Sequence, residues 1–348
     1  MGRADKAVLR LAIGLGLSVL VAYGMALPLP FVACVMSVLM LSKPGPPIPF
    51  LKGAILAVLV CALLVAGVLM VPILENYALT GVLLTGALLY AVFFAGARNA
   101  GPLTIILVIA ITVIPVAGVA EQALVSVLSV SLGVGRGAAV VASGASPAFF
   151  RDPPPPTTPA EAAALVPRSA EIASWQALRA TVVVMPMFVL ALSNPAFYLA
   201  TILKTVTLGQ QACSISARSA GKELVGSTLM GAGMAALVWL GLSMRPNLWM
   251  LMLWVVAAAL WAGRRLFGAK ASTLAPSFWS NAVVTMLILL GPAIEDSAQG
   301  KDVFTASAIR VSLFVGVALY AWATVWALER WRASRARLKF ETIDFKRE

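Results

Sequence analysis

The sequence predicts an all-α, polytopic membrane helix bundle: about twelve transmembrane helices arranged as two parallel six-helix repeats. Three observations predict it. Of 348 residues, 61% are apolar and only 11% are charged, with a mean hydropathy of +0.95, which leaves too little polar surface for a soluble domain of this size. Apolar runs near the roughly 20 residues that cross a hydrocarbon core recur along the whole chain. The basic residues fall between these runs, mostly in alternate gaps.

The composition also excludes several kinds of chemistry. The net charge of +12 suggests nucleic acid, but the basic residues are spread between apolar runs and read as topological charge, so no nucleic-acid partner is expected. Histidine is absent, and Cys34, Cys61 and Cys213 form no CxxC pair. Zinc sites, disulfide scaffolds and Cys–His nucleophiles are therefore not expected. No G-x-x-x-x-G-K-[ST] and no H-E-x-x-H occurs, and GVGRG lacks a strand–turn–helix setting. No catalytic residue, metal site or cofactor is predicted.

The expected spans are 8–27, 28–42, 50–73, 78–97, 102–120 and 122–148, then 174–192, 195–212, 222–243, 246–263, 274–292 and 304–328. The first follows Arg3, Lys6 and Arg10 without a clear A-x-A cleavage site, so it reads as a retained membrane helix rather than a signal peptide. The second is short and opens with Pro28 and Pro30, which suits a tilted helix or one interrupted by backbone buried in protein. The chain thus divides into a first membrane half, 1–150, a linker, 151–173, a second half, 174–329, and a basic tail, 330–348. The linker contains Pro153–Pro156, four consecutive prolines that cannot continue a helix.

The halves resemble each other. Leu9-Arg10 matches Leu178-Arg179, Pro28 falls near Pro195, Lys52 near Lys222, and Pro115 near Pro292. An even number of spans per half starts both halves on the same side, which makes the repeat parallel. With the N-terminus inside, 21 of the 26 basic residues lie in inner segments, and Glu75, Glu121, Glu295, Asp296 and Asp302 lie in outer turns. This bias places both termini in the cytoplasm.

An ionisable group within a span is a functional candidate, because burying it in lipid costs several kcal/mol. Arg136 lies midway along the sixth span, inside the step Gly133-x-x-x-Gly137. It reads either as a fixed charge for an anionic substrate or as a structural arginine bonding backbone carbonyls. Lys204 lies about ten residues into the eighth span. Thr201, Lys204, Thr205, Leu208 and Gln211 recur there at helical spacing and put a polar stripe on one face. That face looks into a cavity, or belongs to a helix that has already reached water. Asn99 and Asn281 open the fifth and eleventh spans and are substrate contacts, caps or interhelical glue. No acid sits clearly mid-membrane; Glu75 and Glu121, at outer helix ends, are the nearest candidates for coupling to protons. The tail ERWRASRARLKF is basic with aromatic ends and suits a helix lying against anionic lipid.

The opening AVLRLAIGLGLSVLVAYGMALPLPFVACVMSVLMLSKP followed by FLKGAILAVLVCALLVAG resembles the fusaric acid resistance and aromatic acid exporter superfamily of bacterial inner-membrane proteins, and within it a short subgroup of uncharacterised members. The shared pattern is an arginine-led first helix, a short second helix, a Pro-ended turn and a Lys-Gly start to the third. The resemblance implies efflux of small organic, aromatic acids or drugs from the bacterial inner membrane, with a periplasmic membrane-fusion protein as partner. Larger members carry a sizeable cytoplasmic domain, where this chain has only its Pro-rich linker. Two other readings stay open. A major-facilitator carrier also has six plus six spans, but its acid-containing loop between spans two and three is here LSKPGPPIPFLKG. A non-transporting scaffold subunit of an efflux assembly has the same composition, and self-association into a homo-oligomer fits either.

Overall fold

A computed structural model describes residues 2–27, 29–42, 67–99, 104–120, 133, 137, 169–213 and 217–344. Among them every regular element is helical. In chain order these are α1 (Arg3–Gly24), α2 (Pro30–Leu41), α3 (Val71–Asn76), α4 (Ala78–Asn99), α5 (Thr104–Ala120), α6 (Ala170–Ser193), α7 (Pro195–Ala212) and α8 (Ala217–Ala220). A π-helical turn, Gly221–Gly226, leads directly into α9 (Ser227–Met244), followed by α10 (Leu248–Leu266), α11 (Pro276–Ala298) and α12 (Val303–Asp344).

Seven helices among the described residues are long and apolar enough to cross a membrane: Ala4–Gly24, Ala78–Arg98, Ala170–Ser193, Gly221–Met244, Leu248–Leu266, Pro276–Ala298 and Val303–Arg335. Pro30–Leu41 and Thr104–Val119 are shorter apolar helices. The chain is a multi-pass helical membrane protein. The expected spans 122–148 and most of 50–73, the linker 151–168, Arg136 and Glu121 lie outside the described residues.

Helix starts follow from local chemistry. The Asn194 side chain accepts a hydrogen bond from the Phe197 amide, and Pro195 occupies the first position of α7. Asn247 accepts from the Met250 amide at 2.7 Å and starts α10 in the same way. Asp302 accepts from the amides of Phe304 and Thr305 and from the Thr305 hydroxyl, which caps α12 and holds its carboxyl below the usual carboxylate range. Pro30 opens α2, whose twelve residues rise about 18 Å. That is short of a hydrocarbon core of about 30 Å. Its residues from Pro30 to Val38, and Leu41, are buried, so the short helix sits against protein rather than lipid.

The centre of the bundle is α11, buried along most of its length, whereas α4, α10 and α12 expose broad apolar faces. Helix α1 packs on α10 and α2, α4 on α6 and α5, α7 on α6 and α5, and α11 on α2, α9 and α10. The first and second halves are therefore interleaved. Basic residues gather at one end, where the acids Asp5, Glu171, Glu223 and Glu329 also lie. Arg10, Arg98, Arg179, Lys222, Arg264, Arg265 and Lys270 lie at one end, here the basic end. Glu75, Glu295, Asp296 and Asp302 lie at the other, the acidic end, together with Arg245, Lys301 and Arg310.

The basic segment after residue 329 continues as helix through Asp344 instead of forming a separate tail. No Gly or Pro occurs between Val317 and Asp344 to stop it. At 42 residues α12 is about 63 Å long and runs well beyond the bundle at the basic end. It is anchored there by Glu329, which pairs with the buried Arg179 at 2.8 Å, and by stacking of Trp331 on Trp175. Arg335 lies 3.9 Å over the Trp331 ring and Arg330 lies 5.3 Å over Trp326.

The closest approach of α9 to α11 is at Gly231, where a Cβ would stand 2.6 Å from the Ala282 carbonyl oxygen and 2.5 Å from the Thr285 Cβ. Backbone cannot yield as a flexible side chain does, so overpacking there costs about 1–3 kcal/mol. Gly231→Ala is expected to lower the melting temperature of the purified protein by several degrees. Gly233→Ala on the same helix meets nothing within 4 Å and should leave it unchanged; thermal unfolding in detergent compares the two.

Candidate functional site

Lys204 is completely buried at the middle of α7. Its Nζ donates to Asn281 Oδ1 at 3.0 Å and to Thr285 Oγ1 at 2.7 Å, both on α11. Asn281 and Thr285 are four residues apart, so they share one face of α11 and present two oxygens together. Asn281 is itself held: its Nδ2 donates to Ser227 Oγ at 2.5 Å. Ser227 opens α9 directly after the π-helical turn, and its hydroxyl donates back to the Glu223 carbonyl in that turn. The Thr285 hydroxyl donates to the Asn281 carbonyl at 2.7 Å. The chain of contacts thus runs from the π-helical turn through Ser227 and Asn281 to the Lys204 amine. π-Helical turns inside α-helices recur at functional sites, where the extra residue re-aims side chains.

The stripe predicted on α7 faces protein. Thr201, Lys204, Thr205 and Leu208 are buried and Gln211 is half-buried. The Thr205 hydroxyl donates to the Thr201 carbonyl at 2.7 Å, and the Thr207 hydroxyl to the Lys204 carbonyl at 2.7 Å. Thr201 Oγ1 is buried with no hydrogen-bond partner among the described residues. No carboxylate of the described residues pairs with Lys204.

Two cavities lie on either side of Lys204 along α7, and Lys204 lines neither. The basic-end cavity, about 240 Å³, is lined by Ser42, Thr207, Gln211, Ser277 and Asn281 among others. Gln211 Nε2 donates to the Ser277 carbonyl, and the Ser277 hydroxyl donates to Glu223 Oε2 at 2.7 Å, which ties its rim to the π-helical turn. The acidic-end cavity, about 400 Å³, is lined by Leu29, Asn194, Ala200, Glu295, Asp296 and Arg310 among others. Arg310 donates to Asp296 at 2.6 Å. The same three helices line both cavities. Helix α7 contributes Ala200 to one and Thr207 to the other, and α11 contributes Pro292 and Val284. The corresponding residues of α2 are Phe31 and Leu39. Ala200 and Thr207 are about 10 Å apart along the helix, and Lys204 lies between them.

The structure buries Lys204, Thr201 and Thr205 on α7 and sets Asn281 against Lys204. It corrects the position of Asn99, and for Asn281 it shows the interhelical contact among the readings left open. Asn281 is not a helix cap; α11 starts at Pro276, and Asn281 lies one turn inside it, buried against Lys204. Asn99 does not open the fifth helix but is the last residue of α4. Glu75 is exposed at the acidic end, near the end of α3. Thr285 and Ser227 were missed by sequence reasoning. Asn281 and Thr285 at i and i+4 in an otherwise apolar run were the available signal. No group of three or more His, Cys, Asp or Glu among the described residues could hold a metal ion.

Residues 7–144 match the family described as "Protein of unknown function (DUF2955)". No curated protein and no solved structure matches the chain.

The geometry makes Lys204 dependent on its two neutral partners. Asn281→Leu removes one of the acceptors and is expected to destabilise the protein by about 1–3 kcal/mol, the cost of leaving a buried polar group unpaired. Adding Lys204→Met, which replaces the amine with an unbranched apolar chain, should restore most of that loss. Thermal unfolding of the single and double variants checks this; an Asn281→Leu protein as stable as the parent would show that the hydrogen bond holds nothing.

Proposed function

We propose that this chain is a bacterial inner-membrane transporter of small organic, aromatic acids, working in efflux, with Lys204 at its anion site. The observation that carries the reading is a buried amine with no carboxylate partner among the described residues, placed between two cavities toward opposite ends of the same three helices. A buried positive charge is stable only when paired and hydrogen-bonded. A substrate carboxylate supplies the missing negative charge. Thr201, one turn away on the same face with its hydroxyl unpartnered, offers a second donor. The ring of an aromatic acid finds apolar wall on α2 and α11. Because each cavity stops about 10 Å from the other, modest shifts of α7 against α11 open Lys204 to one side at a time.

The same reading includes twelve crossings in two parallel six-helix repeats, with both termini in the cytoplasm. Contacts support the repeat. Pairing each helix with its counterpart one half later, α1 on α10 corresponds to α6 on α4, and α1 on α2 to α6 on α7. Likewise α2 on α11 corresponds to α7 on α5, and α10 on α11 to α4 on α5. Prolines inside both α5 and α11, Pro115 and Pro292, fit the same correspondence. The gathering of basic residues at one end supports the cytoplasmic placement of that end. A membrane-fusion protein at the acidic end belongs to the efflux reading as a partner.

In proteoliposomes, the protein is expected to carry phthalate, an aromatic dianion with a slow passive leak. Lys204→Met should reduce the protein-dependent flux at least tenfold. Equal flux through the parent and Lys204→Met, or no flux above empty liposomes, would overturn the assignment.

A further inference from the structure

The hydrogen bonds around Lys204 count its protons. A neutral amine has two N–H groups and one lone pair, whereas an ammonium has three N–H groups and no acceptor capacity. The site offers two acceptors, Asn281 Oδ1 and Thr285 Oγ1, at 3.0 and 2.7 Å. Neither can be exchanged for more: Asn281 is turned by its bond to Ser227 Oγ, and Thr285 is committed to the Asn281 carbonyl. A third N–H of an ammonium meets no acceptor among the described residues, and no carboxylate there balances its charge.

The charged and titratable groups on the helices packed against α7 are all remote or engaged. The described α5 carries none, and α11 carries Glu295 and Asp296, at least ten residues beyond Thr285, or about 15 Å along the axis. On α6, Glu171 lies near the start of the helix facing Arg332, and Arg179 is held by Glu329 and the Ala212 carbonyl. On α12, Arg310 pairs with Asp296, Tyr320 donates to the Val182 carbonyl, and Glu329 takes Arg179. On α7 itself, Tyr198 lies at the acidic end. None of these groups neutralises an ammonium at residue 204.

We propose that Lys204 Nζ is a proton-binding site as well as an anion site, so that the chain moves one proton together with each carboxylate. This rests on the anion site proposed above. The empty site holds the neutral amine, matched by its two acceptors. When a carboxylate enters, the Nζ lone pair takes a proton from water in the open cavity, and the new N–H donates to the carboxylate. Charge is conserved: one anion and one proton enter the barrier together, and they leave together on the other side, returning the amine to its neutral form. For a monocarboxylate the cycle is electroneutral. Its direction follows the concentration of the acid and the pH difference, not the membrane potential, so it releases acid that accumulates inside. No membrane carboxylate or histidine is needed for the coupling, which accounts for a proton-linked carrier in a chain with no histidine.

Calorimetry on the purified full chain tests this with benzoate at pH 7.5, repeated in HEPES and Tris, whose ionisation heats differ. The difference between the two heats gives the protons taken up per benzoate bound. The expected value is close to one for the parent and close to zero for Lys204→Arg, whose guanidinium is always charged. The parent's affinity should also fall about tenfold between pH 7.5 and 8.5, a measurement that needs no variant. Benzoate binding with no proton uptake and a constant affinity would overturn proton coupling while leaving the anion site intact. Proton uptake that persists in Lys204→Arg would move the proton to another group and overturn the assignment to Nζ. Absence of benzoate binding by the parent would instead remove the anion site itself.

Discussion

The contact on which the rest of the site depends is the one between the Lys204 amine on α7 and the Asn281–Thr285 face of α11. An amine at that depth has no water to solvate it, and its burial costs several kcal/mol unless hydrogen bonds replace the lost hydration. Those bonds come from the most buried helix of the bundle, and α11 is in turn braced by α9 through Ser227 and by the close passage at Gly231. The position of one side chain therefore commits three helices.

Two features of the surroundings match this constraint. The short α2, too short for the hydrocarbon core, is tolerated because protein covers it, and its two ends reach the two cavities. The π-helical turn before α9 places Ser227 beneath Asn281 and Glu223 beside Ser277 at the basic-end rim. A local change in that turn is coupled by hydrogen bonds to the Lys204 amine and to the cavity rim together. At the opposite end the Asp296–Arg310 pair and Glu295 form a second polar rim, built from the last turn of α11 and the first turns of α12.

Much of the architecture was legible in the sequence because membrane insertion writes itself in composition. Runs such as LWMLMLWVVAAALWAG and the spacing of Arg264, Arg265 and Lys270 read directly as a crossing and its flank. The polar stripe on α7 was legible as a period, but its surroundings were not: the same Thr201-Lys204-Thr205 pattern suits a solvated helix end equally well, and only packing shows it buried. For Asn281 the sequence left a cap, interhelical glue and a substrate contact open for a related reason. An asparagine near a helix start is usually a cap, and the start of α11 at Pro276 instead puts it one turn inside, where it meets a residue 77 positions away. Thr285 and Ser227 carried no signal of their own, since single hydroxyls in apolar helices usually bond their own backbone. The helix expected in ERWRASRARLKF is present, but as an unbroken continuation of α12 to Asp344, since nothing between Val317 and Asp344 breaks a helix.

The most direct test of the central claim, that Lys204 closes a barrier between two cavities facing opposite sides, is sidedness of thiol labelling. In a chain freed of Cys34, Cys61 and Cys213, cysteines replace Ser280 at the basic-end cavity or Gln299 at the acidic-end cavity. A membrane-impermeant reagent is then applied to vesicles of each orientation. Residue 280 should be labelled only from the side bearing the basic end, and residue 299 only from the other. Labelling of both residues from one side would contradict the account.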